Sequence, residues 1–132
     1  MRKRVLLVLT MSVFTTGVYA DAVDQVLAQY RTQGAGEFNA DAGKVLWDKS
    51  YPDARGGEAR QCASCHSADL RQPGKHDQTG KRIEPMAPSV NAKRLTDVKF
   101  MEKWFLRNCK GTLGRECTPQ EKGNVLVFLR GQ

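Results

Sequence analysis

The sequence lacks features that several classes of protein require. Its one long uncharged apolar run, Val5 to Val18, is shorter than the roughly 20 residues that a membrane span needs. Lysine and arginine outnumber aspartate and glutamate by 21 to 14, but they do not cluster with aromatic residues. We therefore expect neither stable membrane insertion nor nucleic-acid binding. The chain has only two histidines and four cysteines, and the places of these six residues carry most of the functional information.

Residues 1–20 have the features of a secretory signal peptide. A basic start at residues 2–4 precedes the apolar run, and small residues stand where a signal peptidase cuts, so we expect cleavage after Ala20. An uncleaved anchor is the alternative. Cleavage would leave residues 21–132 as one periplasmic domain with a formal net charge of +4, against +7 for the whole chain. That mild basic excess suits an acidic partner. Thiols outside the cytoplasm rarely stay free, so each cysteine needs a function.

Cys62, Cys65 and His66 form a Cys-x-x-Cys-His stretch, the sequence to which c-type haem is attached. Two thiols one helical turn apart can add across the two vinyl groups of one haem edge, and the next residue supplies an imidazole to the iron. We predict that Cys62 and Cys65 are thioether links and that His66 is the proximal ligand. Because the chain has no internal repeat, we expect one haem c. A zinc site that includes these cysteines is the alternative.

The remaining sequence predicts helices. An apolar stripe indicates a helix over Asp21–Gln33, and a second helix should begin at Asn39 or Ala40 and end before Pro52. A long polar segment follows the cysteines; it shows no strand pattern and should wrap the haem. Two more helices should follow. One is capped by Asp97 and runs through Arg107 with Phe100, Trp104 and Phe105 inward; the other is capped by Thr118 and buries Val125, Leu126, Phe128 and Leu129.

This order of elements resembles the small single-haem cytochromes c, in which a helix before Cys-x-x-Cys-His crosses the C-terminal helix. Gly43 resembles the small residue that lets those helices approach closely, and Trp47 resembles the aromatic residue one turn later. The resemblance implies an all-α cytochrome c fold, to which the helix over Asp21–Gln33 would be an addition.

The sixth iron ligand of an ordinary electron-carrying cytochrome is a methionine in the loop before the last helix, but this loop, LRNCKGTLGRECTP, contains no methionine. Met86, Met101 and His76 are the other candidates in the mature chain. Each also has an ordinary interpretation: core or pocket packing for the methionines, and a solvated loop position for the histidine. Asn108 stands near where the usual methionine falls, 42 residues after His66. It can equally be read as a helix C-cap.

A closer resemblance involves the runs CASCHSAD, GKRIEPMAPS, KWFLRNC and LGRECTPQEK, which are similar to the SHP family of exported, high-spin, oxygen-binding cytochromes c. In that family an asparagine is the distal ligand and a disulfide lies beside it. The resemblance maps these features to Asn108 and to Cys109–Cys117, with Asn91 as the second candidate asparagine. It also implies electron delivery from a partner cytochrome, typically a dihaem c-type one.

An amide oxygen is a hard, weak ligand that suits ferric iron better than ferrous iron. We therefore expect Asn108 to dissociate on reduction, so that the ferrous haem can bind O2 or NO. Two alternatives are a low-spin electron carrier with a methionine or histidine ligand and a passive gas sensor or scavenger. No catalytic residue can be assigned, and turnover is an open question. For the haem propionates the candidate contacts are Lys81, Arg82, Arg94 and Trp104.

Overall fold

The computed structural model describes residues 21–53 and 56–132, so the predicted signal peptide lies outside the described residues. The elements in chain order are α1 (Ala22–Thr32), α2 (Ala40–Asp48), α3 (Ala63–His66), β1 (Gly74–Lys75), β2 (Arg82–Ile83), α4 (Val98–Leu113) and α5 (Pro119–Arg130). The fold is therefore all-α apart from one minimal strand pair, as expected. Across these two ranges, no helix combines the length and the apolar character that a membrane span requires.

Helix α1 forms where its apolar stripe predicts it. The side chain of Asp21 caps it by accepting a hydrogen bond from the main-chain N–H of Asp24 at 2.8 Å. Its buried face consists of Val23, Val26, Leu27 and Tyr30. This face packs against Met101 of α4 and Leu126 of α5 in one apolar cluster, so α1 contacts both helices.

Helices α2 and α5 cross with their main chains almost in contact. A Cβ atom on Gly43 would lie 2.5 Å from the carbonyl carbon of Asn124, and closer still to its oxygen. The prediction that Gly43 permits a close helix approach is confirmed, because only a residue without a side chain fits there. The capping box predicted for α5 is also present, since Thr118 and Glu121 hydrogen-bond each other's main-chain N–H.

A second apolar cluster lies beside the α2–α5 crossing. Its buried members are Trp47, Leu70, Ala87, Val125 and Leu129. Cys62 and Met86 are among the partly buried side chains that pack against it. The cluster therefore extends from the two crossing helices to the Cys-x-x-Cys-His stretch.

Helix α4 is longer than predicted. It begins after its Asp97 cap, as expected, but it continues to Leu113 instead of ending at Arg107. Gly114, with a φ of 74°, ends it in the left-handed conformation that glycine adopts most easily. Asn108 is therefore an interior residue of the helix, and its interpretation as a C-cap is wrong.

The prediction that Phe100, Trp104 and Phe105 all face inward is only partly correct. Phe105 packs against both apolar clusters. Phe100 and Trp104, in contrast, are 49% and 39% exposed on the protein surface. They stand one turn apart on α4, and their rings are 5.9 Å apart in an edge-to-face arrangement.

The segment after the cysteines was predicted without strands, and this prediction was wrong at one point. Gly74 and Lys75 pair antiparallel with Ile83 and Arg82, in that order. The main chain of His76 hydrogen-bonds the Lys81 carbonyl at 2.8 Å and closes the turn between the strands. Each strand is two residues long, which is too short to produce the alternation that identifies a strand in a sequence.

Candidate haem-binding site

The Cys-x-x-Cys-His stretch folds as a single helical turn. Cys62 caps α3, and its carbonyl oxygen accepts hydrogen bonds from the main-chain N–H of Cys65 at 3.3 Å and of His66 at 3.1 Å. Ser67 has a φ of 68°, which ends the turn directly after the histidine. Both cysteines are free thiols and are partly buried. The turn thus presents two thiols and an imidazole from five consecutive residues.

The strand pair supports this turn from one side. A Cβ atom on Gly74 would lie 2.9 Å from the Cα of His66 and even closer to the carbonyl oxygen of Cys65. Any side chain at position 74 would push against main chain, which cannot rotate out of the way. No pattern in the sequence predicts this role, because Gly74 reads as an ordinary loop glycine until the strand pair is known.

His66 is held as a neutral imidazole. Burial and, as the smaller cause, the positive charge of Arg94 lower its pKa to about 4. Its Nδ1 atom is buried and has no hydrogen-bond partner among the described residues. The ring of Trp47 lies 5.4 Å from the imidazole, centroid to centroid, at 43°. A buried, neutral imidazole keeps one ring nitrogen unprotonated, so it is suited to binding a metal ion.

The thiols do not resemble a redox pair or a zinc site. Burial raises the pKa of Cys62 to about 11, so this thiol stays protonated near neutral pH, whereas reactive redox cysteines act as thiolates. Nowhere in the described ranges do three or more histidine, cysteine or acidic side chains gather around a point where a metal ion could bind. Covalent attachment of haem requires no such gathering, so the residues present fit that cofactor.

Helix α4 supplies an open face with one free amide. Phe100, Trp104 and Asn108 are spaced four residues apart and therefore share that face. The guanidinium carbon of Arg107 stands 5.4 Å from the centre of the Trp104 ring. Asn108 is exposed, and its side chain has no hydrogen bond to any residue that the structure describes. The face therefore combines apolar surface with an uncommitted oxygen donor.

The other asparagines all have partners. Asn91, the second candidate, donates from Nδ2 to the carbonyl of Pro85 at 3.1 Å and accepts from the main chain of Lys93 at 3.3 Å. Asn39 caps α2, and Asn124 accepts hydrogen bonds from Gln120 and from the main chain of Asn39. Asn108 is thus the one asparagine side chain in the described part of the chain that remains free.

The candidate methionines lie in the two apolar clusters. Met101 is 6% exposed and packs among the residues of α1. Met86 packs in the cluster around Trp47, whose ring contacts His66, and its main-chain N–H donates to the Leu70 carbonyl at 2.9 Å. Both side chains occupy the packing roles that were their ordinary interpretation.

His76 lies in the turn between β1 and β2. Its Nδ1 atom accepts a hydrogen bond from the main-chain N–H of Thr79 at 3.2 Å, and its side chain is 43% exposed. The nearby Asp77 pairs with Arg60, which also pairs with Asp53. This arrangement matches the solvated loop position that was the alternative for His76. The bridging role of Arg60 was not predicted, because its partners come from two separate loops.

The structure distributes the predicted propionate contacts over three segments. Lys81 is exposed at the end of the turn between β1 and β2, and Arg82 pairs with Glu84 at 3.0 Å on the surface. Arg94 donates from Nε to the carbonyl of Pro85 at 2.8 Å and from Nη2 to that of Glu84 at 2.5 Å. Of the three cations, Arg94 is the one whose charge reaches His66.

A disulfide joins Cys109 to Cys117, with their Cα atoms 5.6 Å apart. Both cysteines are buried, at 5% and 7% exposure. The bond starts at the residue directly after Asn108 and ends directly before the Thr118 cap of α5. It therefore attaches the C-terminal part of α4 to the start of the last helix.

Comparison with known proteins identifies a matching family and two proteins of similar sequence. Residues 33–129 match a family described as a domain of unknown function, DUF1924. The chain is 36% identical over 108 residues to the cytochrome c-type protein SHP of Cereibacter sphaeroides, and the match covers 82% of each chain. It is 41% identical over 87 residues to cytochrome c″ of Methylophilus methylotrophus, covering 66% of this chain and 60% of that relative.

Solved structures with the same fold include those of both relatives. The structure of oxidized SHP, an oxygen-binding cytochrome c, has a TM-score of 0.74 and 35% identity, with 85% of this chain and 98% of that chain covered. Oxidized cytochrome c″ from Methylophilus methylotrophus has a TM-score of 0.72 and 30% identity, with 84% and 94% covered. A solution structure of the same cytochrome, which concerns haem-ligand detachment, also has a TM-score of 0.72.

Proposed function

Because this chain belongs to the SHP-type family of monohaem c-type cytochromes, we propose that it is an exported gas-binding protein whose distal ligand leaves the iron on reduction. Like its relatives, the chain carries one covalently attached haem c. The haem supplies an iron that changes oxidation state, and the residues of this chain determine which ligands reach that iron.

Three residues of one helical turn would hold the haem. The sulfurs of Cys62 and Cys65 would form the thioether bonds, and His66 would be the proximal ligand. The low pKa of His66 keeps the imidazole neutral, as an iron ligand must be, and the Trp47 ring packs beside it. The cation of Arg94 is the best placed of the predicted propionate contacts, because it already acts on His66 electrostatically.

Asn108 would be the distal ligand, and one observation carries this assignment. Its amide is free and exposed on the α4 face that Phe100 and Trp104 share, while the other three asparagines are hydrogen-bonded. An amide oxygen is a weak donor that prefers ferric iron, so Asn108 should leave on reduction and open the position to O2 or NO. The described oxygen binding of SHP supports the same reading.

A plain electron carrier with a methionine or histidine ligand is the less favoured alternative. Met86 and Met101 pack in apolar clusters, and His76 accepts a hydrogen bond in a surface turn. Ligation by any of them would require that packing or hydrogen bond to be broken. In the proposed role, electrons would come from a periplasmic partner cytochrome. The basic excess of this chain suits an acidic partner, and the family resemblance implies a dihaem c-type one.

Visible absorption spectra of the wild type and two asparagine variants would test this proposal. Asn108→Ala should change the ferric spectrum and leave the ferrous spectrum as it is, because the wild-type ligand has already left in the ferrous state. Asn91→Ala is the matched control and should change neither spectrum. A low-spin spectrum in both oxidation states that Asn108→Ala does not alter would rule the proposal out.

Binding and turnover can be separated by a second measurement. Catalytic amounts of the protein are supplied with a reductant, and the consumption of O2 or NO is followed. Sustained consumption would identify an enzyme, whereas uptake of one equivalent would identify a gas-binding or sensing protein. No residue of the described ranges is assigned as a general acid or base, so the proposal itself requires only binding.

A further inference from the structure

Helix α1 precedes the segment that resembles the small cytochromes c, and the proposed function assigns it no role. Its last buried residue, Tyr30, is 1% exposed and still carries a polar hydroxyl group. That hydroxyl donates a hydrogen bond to Oε1 of Glu102 on α4. Burial, with the carboxylate as the second cause, raises the pKa of Tyr30 above its ordinary value, so the hydroxyl remains a donor.

The same carboxylate receives a second donor from α5. The Nζ atom of Lys122 donates to Oε2 of Glu102 at 3.0 Å, and it lies 5.4 Å from the centre of the Tyr30 ring. The side chains of Glu102 and Lys122 are 31% and 17% exposed, so the pair is partly shielded from water. Each oxygen of Glu102 thus has its own partner, one from α1 and one from α5. We call these three residues the tyrosine clasp.

Glu102 of the tyrosine clasp lies on the same helix as the proposed ligand, less than two turns before it. Glu102 is six residues before Asn108, and Met101, buried against α1, is seven residues before it. Residues seven apart lie on nearly the same side of a helix, about 10 Å apart along its axis. Helix α1 therefore covers this side of α4 at Met101 and leaves it open two turns later at Asn108.

We infer that Tyr30 is a positioning residue for Asn108: through Glu102 it fixes α4 against α1 and α5, so that the amide is presented to the iron. The inference rests on the proposed function of Asn108. A weak oxygen donor gains little from its bond to iron, so its ligation depends on how well the helix already holds it in place. The Cys109–Cys117 disulfide holds α4 on the other side of Asn108, and the tyrosine clasp is the corresponding anchor on the N-terminal side.

Imidazole affinity of the ferric protein measures this effect, because added imidazole must displace Asn108 to bind the iron. Tyr30→Phe keeps the buried ring and removes only the hydroxyl. A hydrogen bond to a charged group is worth about a tenfold change or more in an equilibrium constant, and only part of this reaches Asn108. We therefore expect imidazole to bind Tyr30→Phe more tightly than wild type, by up to about tenfold. Asn108→Ala removes the competing ligand completely, so its imidazole affinity is the upper limit for that of Tyr30→Phe.

Arg130→Gln is the matched control. Arg130 of α5 pairs with Asp24 of α1 at 2.7 Å, so this variant also loses a polar link of α1 but leaves α4 untouched. It should bind imidazole as the wild type does. In the double variant Tyr30→Phe/Asn108→Ala, the tyrosine change should have no further effect on affinity, because the ligand through which it acts is gone.

Three results would overturn the inference, and they differ in whether the proposed function fails as well. If Asn108→Ala tightens imidazole binding but Tyr30→Phe matches Arg130→Gln, the positioning role fails and the proposed function survives. If Tyr30→Phe has the same effect with and without Asn108, the tyrosine acts on the pocket and not on the ligand. If Asn108→Ala leaves imidazole affinity unchanged, the proposed function fails together with the inference.

Discussion

Replacing Gly43 with alanine should destabilise the protein, because the α2–α5 crossing has no room for a methyl group. The added Cβ would stand 2.5 Å from the carbonyl carbon of Asn124 and 3.0 Å from the Cβ of Phe128. The first of these atoms belongs to the main chain of α5 and cannot rotate away. The helices would have to separate, and because the clash is with main chain we place the cost of this overpacking in the upper part of the usual range, at about 2–3 kcal/mol. Alanine's better helix propensity returns about 1 kcal/mol, so we expect a net loss of about 1–2 kcal/mol.

Gly111→Ala is the control for helix propensity. Gly111 also lies within a helix, but a Cβ there would meet nothing within 4 Å. This variant should be more stable than the wild type by up to about 1 kcal/mol. Urea unfolding of the ferric holoproteins, followed by circular dichroism, would give both free energies of unfolding. If Gly43→Ala were as stable as Gly111→Ala, the close crossing of α2 and α5 would be refuted.

Three further predictions concern the regions around the site. Glu121→Gln should lower stability at neutral pH, since the hydrogen bond with Arg115 holds the pKa of Glu121 below its ordinary 4.5. This stabilisation is present above about pH 4.5 and is lost as pH falls through the lowered pKa, so the gap between variant and wild type in urea should close in acid. Replacing both Cys109 and Cys117 with serine should cost about 2.5 kcal/mol of unfolding free energy, the chain-entropy value for so short a loop; an unchanged urea midpoint would contradict this. Gly74→Ala should reduce the yield of protein with covalent haem, measured by haem staining of denaturing gels, whereas Gly111→Ala, whose Cβ would meet nothing within 4 Å, should not.

The parts of the fold that were predictable depend on local patterns. The stripe of α1, the Asp97 and Thr118 caps and the contact at Gly43 all appear where the sequence placed them. The stripe and the two caps depend on residues within one or two helical turns of each other. The contact at Gly43 was predicted from the resemblance to the small cytochromes c. The end of α4 was not predictable in this way, because the two glycines near it, Gly111 and Gly114, give competing signals and only the second one stops the helix.

The parts that could not be predicted depend on contacts between distant segments. The strand pair is too short for a pattern, and the Tyr30–Glu102 hydrogen bond joins residues 72 positions apart. Glu102 reads in the sequence as an exposed helix residue, and nothing near it identifies its partners. Phe100 and Trp104 were predicted to face inward, but both are exposed. Their burial against protein would require another helix or loop over that face of α4, and a local pattern cannot show whether one is there.

The most direct test of the account is the bond between the iron and Asn108 in the two oxidation states. Crystal structures of the ferric holoprotein, and of the same crystals after reduction without oxygen, would show it. We expect the Asn108 amide oxygen to be bound in the ferric state and released in the ferrous state, with His66 bound in both. A methionine sulfur or a second histidine on the ferrous iron would contradict it and identify an electron carrier.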